Sequence, residues 1–524
     1  FIPGPEDHEV TLTVTLTLND YQESKDYTIL MLRDVQGYEE YLVEQTFTQL
    51  SESIASQMPT ETYGDFTLPI ISSSDASVYY ITNVSRVYNN RFIYSYPTQD
   101  TTVTITARIR FQGETRSYPF DVVMKNFDSL PQIPVLYLET TNHEGIYSKD
   151  YYVDGKATLV VYNSELVPMT LFEGSDMQIR LRGNSTLWMP KKSYRIKFDV
   201  KNEMLFDYAE KDWVLLANFA DQSLIRNYIA YHFADSLDMD FTPQAEFIDV
   251  YLNGEYIGNY TLSDQIEVTN DRVNIEEHST DVDTGYLIEF DRRMWEYPEG
   301  NEGWEWFESF GVPYVIKSPD PEDELTPAQY DFIAVYVNTC LNTLKNKQDY
   351  SGLIDEASFI DWFIVEELFK NVDSGYSSVY LVKDKGGLLK MGPVWDFDLS
   401  TSNPGHLSDD LRVPTGWYTN IEYKNTWYYY LMQYPTFQAH LKERWNEIYD
   451  VQIQDLLNSV YPAADAITKS RYLNFLVWDV IGKNYEWYTS TEVYNAKTYE
   501  EQVFIVYDYL KVRSVWMNTE INKF

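Results

Sequence analysis

Apolar residues alternate with threonine from Val10 to Met31, VTLTVTLTLNDYQESKDYTILM, around a polar turn. This is the pattern of a β-hairpin with one face turned to water. It returns from Val103 to Met124, VTITARIRFQGETRSYPFDVVM. Val10 and Val103, Leu12 and Ile105, Leu16 and Ile109, Leu18 and Phe111, Tyr27 and Phe120, and Met31 and Met124 match at a constant offset of 93 (103 − 10). Apolar positions that stay in step without a gap identify an internal repeat. Ahead of the second copy, Val43, Phe47, Leu50 and Ile54 mark an amphipathic helix, and Phe66, Leu68, Ile70, Tyr79, Tyr80 and Ile81 predict strands. The first copy lacks that upstream part, so the chain is expected to begin inside a repeat. A link over 125–134, KNFDSLPQIP, closes the region with two prolines.

Beyond the link, Met177, Ile179 and Leu181 alternate with Gln178, Arg180 and Arg182, and after a loop Tyr194, Ile196 and Phe198 alternate with Arg195 and Lys197. A hairpin buries the first sets and gathers Arg180, Arg182, Arg195 and Lys197 on its other face. With Lys191 and Lys192 in the connection, six cations fall between 180 and 197. Such a cluster suits a nucleotide phosphate. The same charges also suit a solvated edge hairpin that deters pairing.

Lys211 to Asn218 predicts a short strand, and Asp221 or Ser223 caps a helix that turns Leu224, Tyr228, Tyr231 and Leu237 inward. FIDVYLNGEYIGNYTL, 247–262, predicts a hairpin turning at Asn253-Gly254. GYLIEFD, 285–291, predicts a strand, Thr326 to Gln329 a capping box, and Ser358 the start of the helix DWFIVEELFK. The last third is rich in aromatics: Trp417, Trp427, Tyr428 to Tyr430, Trp445, Trp478 and Trp487. Stacked rings could bind sugars, but helical spacing points to core packing.

The stretch 369–400, FKNVDSGYSSVYLVKDKGGLLKMGPVWDFDLS, predicts a helix end, a loop with Asp373, a hairpin and an acidic turn with Asp396 and Asp398. A two-residue turn at Gly386-Gly387 sets Lys385 against Leu388 and, by counting back, Ser377 opposite Asp396. Two carboxylates 23 positions apart (396 − 373) then arrive within ~10–14 Å of each other by chain reach. Grouped carboxylates beside a polyphosphate hold magnesium, and the order of loop aspartate, hairpin and metal aspartate is that of protein kinases. Aspartates in such turns also serve as plain caps.

Composition narrows these readings. A chain of 524 residues with 44% hydrophobic content has room for several domains. With 81 acidic against 40 basic residues the formal charge is −41, a field that repels nucleic acid and anionic lipid. It repels ATP too unless a local basic cluster reverses it. The lone cysteine, Cys340, excludes an intrachain disulfide framework. No apolar run reaches the ~18 residues of a membrane span. A start at Phe1, without methionine or signal, fits a mature or trimmed chain.

RGNST with PKKSYRIK, WVLLANFADQSLIRN, VYLNGEYIGNYTL, GYLIEFD, and KNVD with GPVWDFD occur in the order found in the CotH family, divergent protein kinases named for an inner spore-coat protein. The region from about Leu130 to Phe524 resembles that family, and residues 1–33 and 34–128 look like a partial and a complete bacterial immunoglobulin-like module, the complete one with an added helix. The resemblance implies a multidomain chain: N-terminal β-sandwich modules, then an α+β atypical protein-kinase-like domain over 129–524. It also implies transfer of the γ-phosphoryl of ATP, with magnesium or manganese, to serine or threonine of a protein. Asp373 matches the family's catalytic-loop aspartate and Asp396 its metal-binding aspartate, with Asp398 beside it. Arg182, Lys192, Arg195 and Lys197 fall in the segments expected to contact phosphate.

The chain departs from kinases in having no GxGxxG loop, no evident glutamate to pair a lysine beyond Glu267 or Glu289, and Asp264 where a glutamate is expected. Alternatives are a non-catalytic surface adhesin or scaffold, a nucleotidyl transferase on a kinase-like fold, and a sugar-binding module. Acidity, scarce cysteine and the module resemblance together suggest a bacterial cell-surface or extracellular protein, in an extracellular assembly.

Overall fold

The computed structural model describes the chain except residues 1–3, 20, 72, 74, 85, 278–279, 297–305, 322–323, 405–411 and 486–487; Trp487 therefore lies outside the described residues. The chain divides into two compact units, Phe1–Leu130 and Pro131–Phe524.

In the first unit, β1 (His8–Leu18) and β2 (Tyr21–Met31) form a two-stranded antiparallel sheet. Helix α1 (Val35–Gln57) follows, capped by Asp34, whose carboxylate accepts from Gly37 N at 2.9 Å. Then come β3 (Glu61–Thr62), β4 (Phe66–Thr67), β5 (Ala76–Thr82), β6 (Arg86–Tyr88), β7 (Arg91–Ile93), β8 (Thr101–Phe111) and β9 (Glu114–Met124). A four-stranded sheet runs β3-β9-β8-β5 and a three-stranded one β4-β7-β6. Phe47 and Ile54 of α1 pack with Val103, Ile105, Ala107 and Ile109 in one core. Ile70, predicted in a strand, is exposed outside these elements.

The second unit begins with a closed barrel of β10 (Val135–Thr140), β11 (Val153–Tyr162), β12 (Pro168–Arg182), β13 (Ser193–Glu203), β14 (Ala209–Leu216), β15 (Ala245–Leu252) and β16 (Glu255–Asp264). Met177, Ile179, Leu181, Tyr194, Ile196 and Phe198 fill its interior, and the arginines between them point outward, as period-two alternation requires. The Asn253-Gly254 turn forms with both residues left-handed, φ 53° and 84°. The barrel's first two strands, β10 and β11, carried no turn signal strong enough to predict them.

A five-stranded antiparallel sheet is built from β17 (Tyr286–Phe290), β18 (Trp306–Ser309), β19 (Val312–Ser318), β20 (Val379–Lys383) and β21 (Leu389–Met391), in the order β18-β19-β17-β20-β21. Helices α2 (Arg226–Asp235), α3 (Pro327–Lys345) and α4 (Glu356–Phe369) share one large core with it. The Thr326 capping box forms. Helix α4 starts earlier than predicted, because Asp355 accepts from Ser358 N at 3.2 Å and takes the cap. The architecture is that of a multidomain α+β protein.

Trp427 and Trp445 are fully buried, Trp427 donating to Tyr314 Oη at 3.0 Å. Trp417 packs against Trp516 with ring centroids 4.9 Å apart. Trp417, Trp427 and Trp445 pack with the core and so lend no support to a sugar-binding reading.

The hairpin register differs from expectation. Leu381 faces Met391, Val382 faces Lys390 and Lys383 faces Leu389, one position off the predicted pairing. The connection is five residues, 384–388, rather than two. Asp384 causes the slip: its carbonyl accepts from Gly387 N at 2.9 Å, and its carboxylate accepts from Lys385 N and Glu276 N, each at 2.8 Å. Only Gly386 takes the left-handed region, φ 65°. The ladder ends where Gly392 N donates to Tyr380 O at 2.7 Å, so Ser377 does not pair with Asp396.

Candidate active site

Asp373 and Asp396 still meet, through loop chemistry instead of the ladder. Helix α4 stops at Lys370, left-handed at φ 49°. The next residue, Asn371, ties both segments: its side-chain oxygen accepts from Asp373 N at 3.2 Å and its amide donates to Trp395 O at 3.1 Å. Asp396 is itself left-handed, φ 67°, a conformation that aspartate tolerates. Helix α2 holds this turn with residues one helical turn apart: Asn227 accepts from Phe397 N at 2.7 Å and Tyr231 Oη from Asp396 N at 3.4 Å. Below it, a buried Asp221–Arg226 ion pair caps α2, and Arg226 reaches Ser400 O at 3.1 Å and Thr401 Oγ1 at 2.7 Å.

Asp373, Asp396 and Asp398 are each half-buried and act on one another's charge. Burial, then the neighbouring Asp396 charge, pushes Asp373 up to about 7. Burial raises Asp396 as well, against the pull of Arg182 and Arg293. Asp398, which shares a hydrogen bond with Asp396, is driven well above the usual carboxylate range by burial and then by Asp396. Beneath them Glu366 is buried with Oε2 unpartnered. The site is short of positive charge.

Of the predicted phosphate contacts, Arg182 faces this group. Its guanidinium lies 5.1 Å over the Trp395 ring, acts on Asp396, and makes no hydrogen bond to a described residue. Lys192 donates to Leu187 O and Met189 O, each at 2.6 Å, and so braces its own loop. Arg195 pairs with Asp212 at 2.6 Å and lies 3.8 Å from Glu267. Lys197 is exposed, opposite Gln178. Glu267 pairs chiefly with Arg272, and Glu289 with Lys317 at 2.9 Å.

Arg293 was missed. It clamps Asp291 through Nε at 2.7 Å and Nη2 at 2.6 Å, and its charge acts on both Asp373 and Asp396. The available signal was the period-two run Glu289, Asp291, Arg293 where GYLIEFD leaves its strand. Tyr380 and Tyr231 complete the walls, both raised by burial.

Among the described residues no three acidic, histidine or cysteine side chains form a ready metal cage. Magnesium rarely needs one, since one or two carboxylates plus substrate phosphates suffice. Hard oxygen donors, carboxylates raised first by burial and then, for Asp373 and Asp398, by the Asp396 charge, and the unpartnered Glu366 oxygen all fit a divalent cation. A separate cavity of about 420 Å³ is lined by Asp240, Asp361 and Lys390 among others. There Lys390 pairs with Asp240 at 2.5 Å and Asp361 with Arg444 at 2.8 Å.

The raised Asp373 has a consequence for stability. An unfolded aspartate titrates near ~3.9, and the folded one holds its proton to about 7. The folded state therefore binds more protons between these values, and stability falls as pH rises through that window and then levels off. Asp373→Asn is expected to raise the melting temperature by ~2–4 °C at pH 8 and to leave it unchanged at pH 4, read by thermal denaturation at both values.

The family model described as CotH kinase protein matches residues 179–517, most of the second unit. The chain belongs to the CotH family. No curated protein matches it.

Proposed function

We propose that the second unit is an atypical protein kinase that transfers the γ-phosphoryl of ATP to a serine or threonine hydroxyl of a protein. The observation that carries this reading is the single electrostatic group formed by Asp373, Asp396 and Asp398 with Arg182 and Arg293. Phosphoryl transfer asks for positioning and charge neutralisation more than for covalent chemistry. Asp373, with a pKa near the working range, accepts or orients the acceptor hydroxyl proton. Asp396 and Asp398 would hold Mg²⁺ or Mn²⁺, which would supply neutralisation of phosphate charge. Arg182 offers its guanidinium to the phosphates, and Arg293, fixed by Asp291, keeps Asp373 and Asp396 ionisable. Lys192 and Arg195 serve from a distance, by shaping the loop and strand that carry Arg182, while Lys197 would meet only the outer, solvent-facing charge of a nucleotide.

The barrel followed by a sheet and helices corresponds in this reading to the two lobes of a kinase. The first unit reads as immunoglobulin-like spacer modules of a bacterial cell-surface or extracellular protein, a location that the acidity and the single cysteine support.

A second reading, a non-catalytic surface scaffold, draws support from Lys192 and Arg195 being engaged within the chain. Thermal denaturation with ATP and Mg²⁺ separates the two. A ligand at about 100 times its Kd adds ~2.7 kcal/mol to the folded state. A kinase is expected to melt higher with ATP and Mg²⁺ together than with either alone, and to lose that gain in Asp396→Ala. No shift at millimolar nucleotide would favour the scaffold.

A further inference from the structure

The two hairpins of the first unit share strand length, register and offset, yet differ in what covers them. In β1–β2, Val10 faces Ile29, Leu12 faces Tyr27, Val14 faces Lys25 and Leu16 faces Glu23. In β8–β9, Val103 faces Val122, Ile105 faces Phe120, Ala107 faces Tyr118 and Ile109 faces Arg116. Each pair in the first set is its counterpart in the second less 93 (Ile109 to Leu16).

The β8 positions Val103, Ile105, Ala107 and Ile109 are all 0% exposed, whereas Val10, Leu12, Val14 and Leu16 are 39%, 51%, 40% and 72% exposed. Helix α1 closes the β8–β9 face with Phe47 and Ile54, and β5 pairs with the free edge of β8 from Ala76↔Phe111 to Thr82↔Ile105. Among the described residues β1 has β2 as its one strand partner and no such cover. The opposite face of β1–β2 is already finished by cross-strand bonds, Thr13 to Asp26 at 2.6 Å and Thr15 to Ser24 at 2.8 Å. A lone two-stranded hairpin with a bare apolar face is marginal in water, and its open edge invites a strand.

Charge narrows the occupant. In the covered copy Arg116 pairs with Glu44 of α1 at 2.7 Å and lies 4.2 Å over the Phe47 ring. The counterpart of Arg116 is Glu23 (116 − 93). A helix with glutamate at the position of Glu44 would set two carboxylates together, which disfavours α1 itself as a swapped cover.

We propose that the apolar face of β1–β2 docks the helix-plus-strand half of another copy of this repeat, carrying lysine or arginine where α1 carries Glu44. The surface is an assembly site between repeats, independent of the catalytic proposal.

The test uses the full chain with residues 34–100 duplicated and joined ahead of His8, in two versions: the copied Glu44 kept, or Glu44→Arg in the copy. Hydrogen exchange is read at the amides of residues 8–31. Exchange is expected to slow on the order of 100-fold against the unextended chain, with the arginine version slower than the glutamate version by about threefold at low salt. Leu12→Asp in the arginine version should restore fast exchange. Equal exchange with and without the added half, or no effect of Leu12→Asp, would overturn the docking proposal. Equal protection by the two versions would overturn the charge assignment. Tryptophan fluorescence reports that the second unit stays folded throughout, because all 13 tryptophans lie beyond residue 130.

Discussion

Asp396→Ala is expected to cut phosphoryl transfer by ~10³-fold or more without lowering the melting temperature of the ligand-free chain. The two halves of that result come from the same cause. Burial raises the pKa of Asp396 despite Arg182, Arg293 and the hydrogen bond it shares with Asp398, and its charge in turn raises Asp373, Asp398 and Glu366. Its charge is a burden on the empty fold, and removing it relieves Asp373 and Asp398 of a repelling neighbour. Its backbone is held by Asn227 and Tyr231 whatever the side chain, although alanine loses some of aspartate's tolerance for φ 67°. Phosphoryl transfer, by contrast, would need that carboxylate to help hold the cation that offsets phosphate charge. A fall in activity that tracked a fall in melting temperature would mark Asp396 as structural.

The largest stability effect is expected at a distance from the acidic turn. Glu367 and Arg513 are fully buried and paired at 2.5 Å. Glu367 also accepts from Tyr418 N at 2.8 Å and Thr419 N at 2.5 Å, while Arg513 reaches Pro414 O at 3.1 Å and Gly416 O at 3.2 Å. The pair thus staples the C-terminal helix Tyr499–Ile521 and the 414–419 segment to α4, the helix that leads into the Asp373 loop. Arg513→Met leaves a buried carboxylate without its counter-charge, a loss of about 3–5 kcal/mol. The denaturant midpoint followed by tryptophan fluorescence reads it, with the slope unchanged. Adding Glu367→Gln to Arg513→Met should recover part of the loss, because an amide oxygen in the place of Oε1 still accepts from both backbone N–H groups and carries no charge.

Much of this architecture was legible in the residue order, and the failures have local causes. The 93-residue repeat was readable because hairpin faces with period-two alternation leave an apolar signature independent of what covers them. The Asn253-Gly254 turn formed as expected because its two residues accept left-handed backbone cheaply. Gly386-Gly387 carried an equally strong signal and lost to Asp384, whose carbonyl and carboxylate bind three N–H groups and lengthen the turn. The cationic hairpin was found by alternation, but alternation says only which side chains share a face. It could not show that Asp212 would take Arg195 or that Lys192 would fold back on Leu187 and Met189, since those partners come from other strands and from the loop's own curl. Arg293 was missed for the converse reason: it acts at the site only because β17 pairs with β20 in a sheet the sequence did not outline.

Incubation of the full chain with Mg²⁺ and ATP labelled at either the γ- or the α-phosphate puts the charge group of Asp373, Asp396, Arg182 and Arg293 to its most direct test. The expected result is label on serine or threonine from γ-labelled ATP alone, absent in Asp396→Ala. Label from the α-position would mean nucleotidyl transfer, and no label from either, with no nucleotide bound, would contradict a phosphoryl-transfer site between these residues.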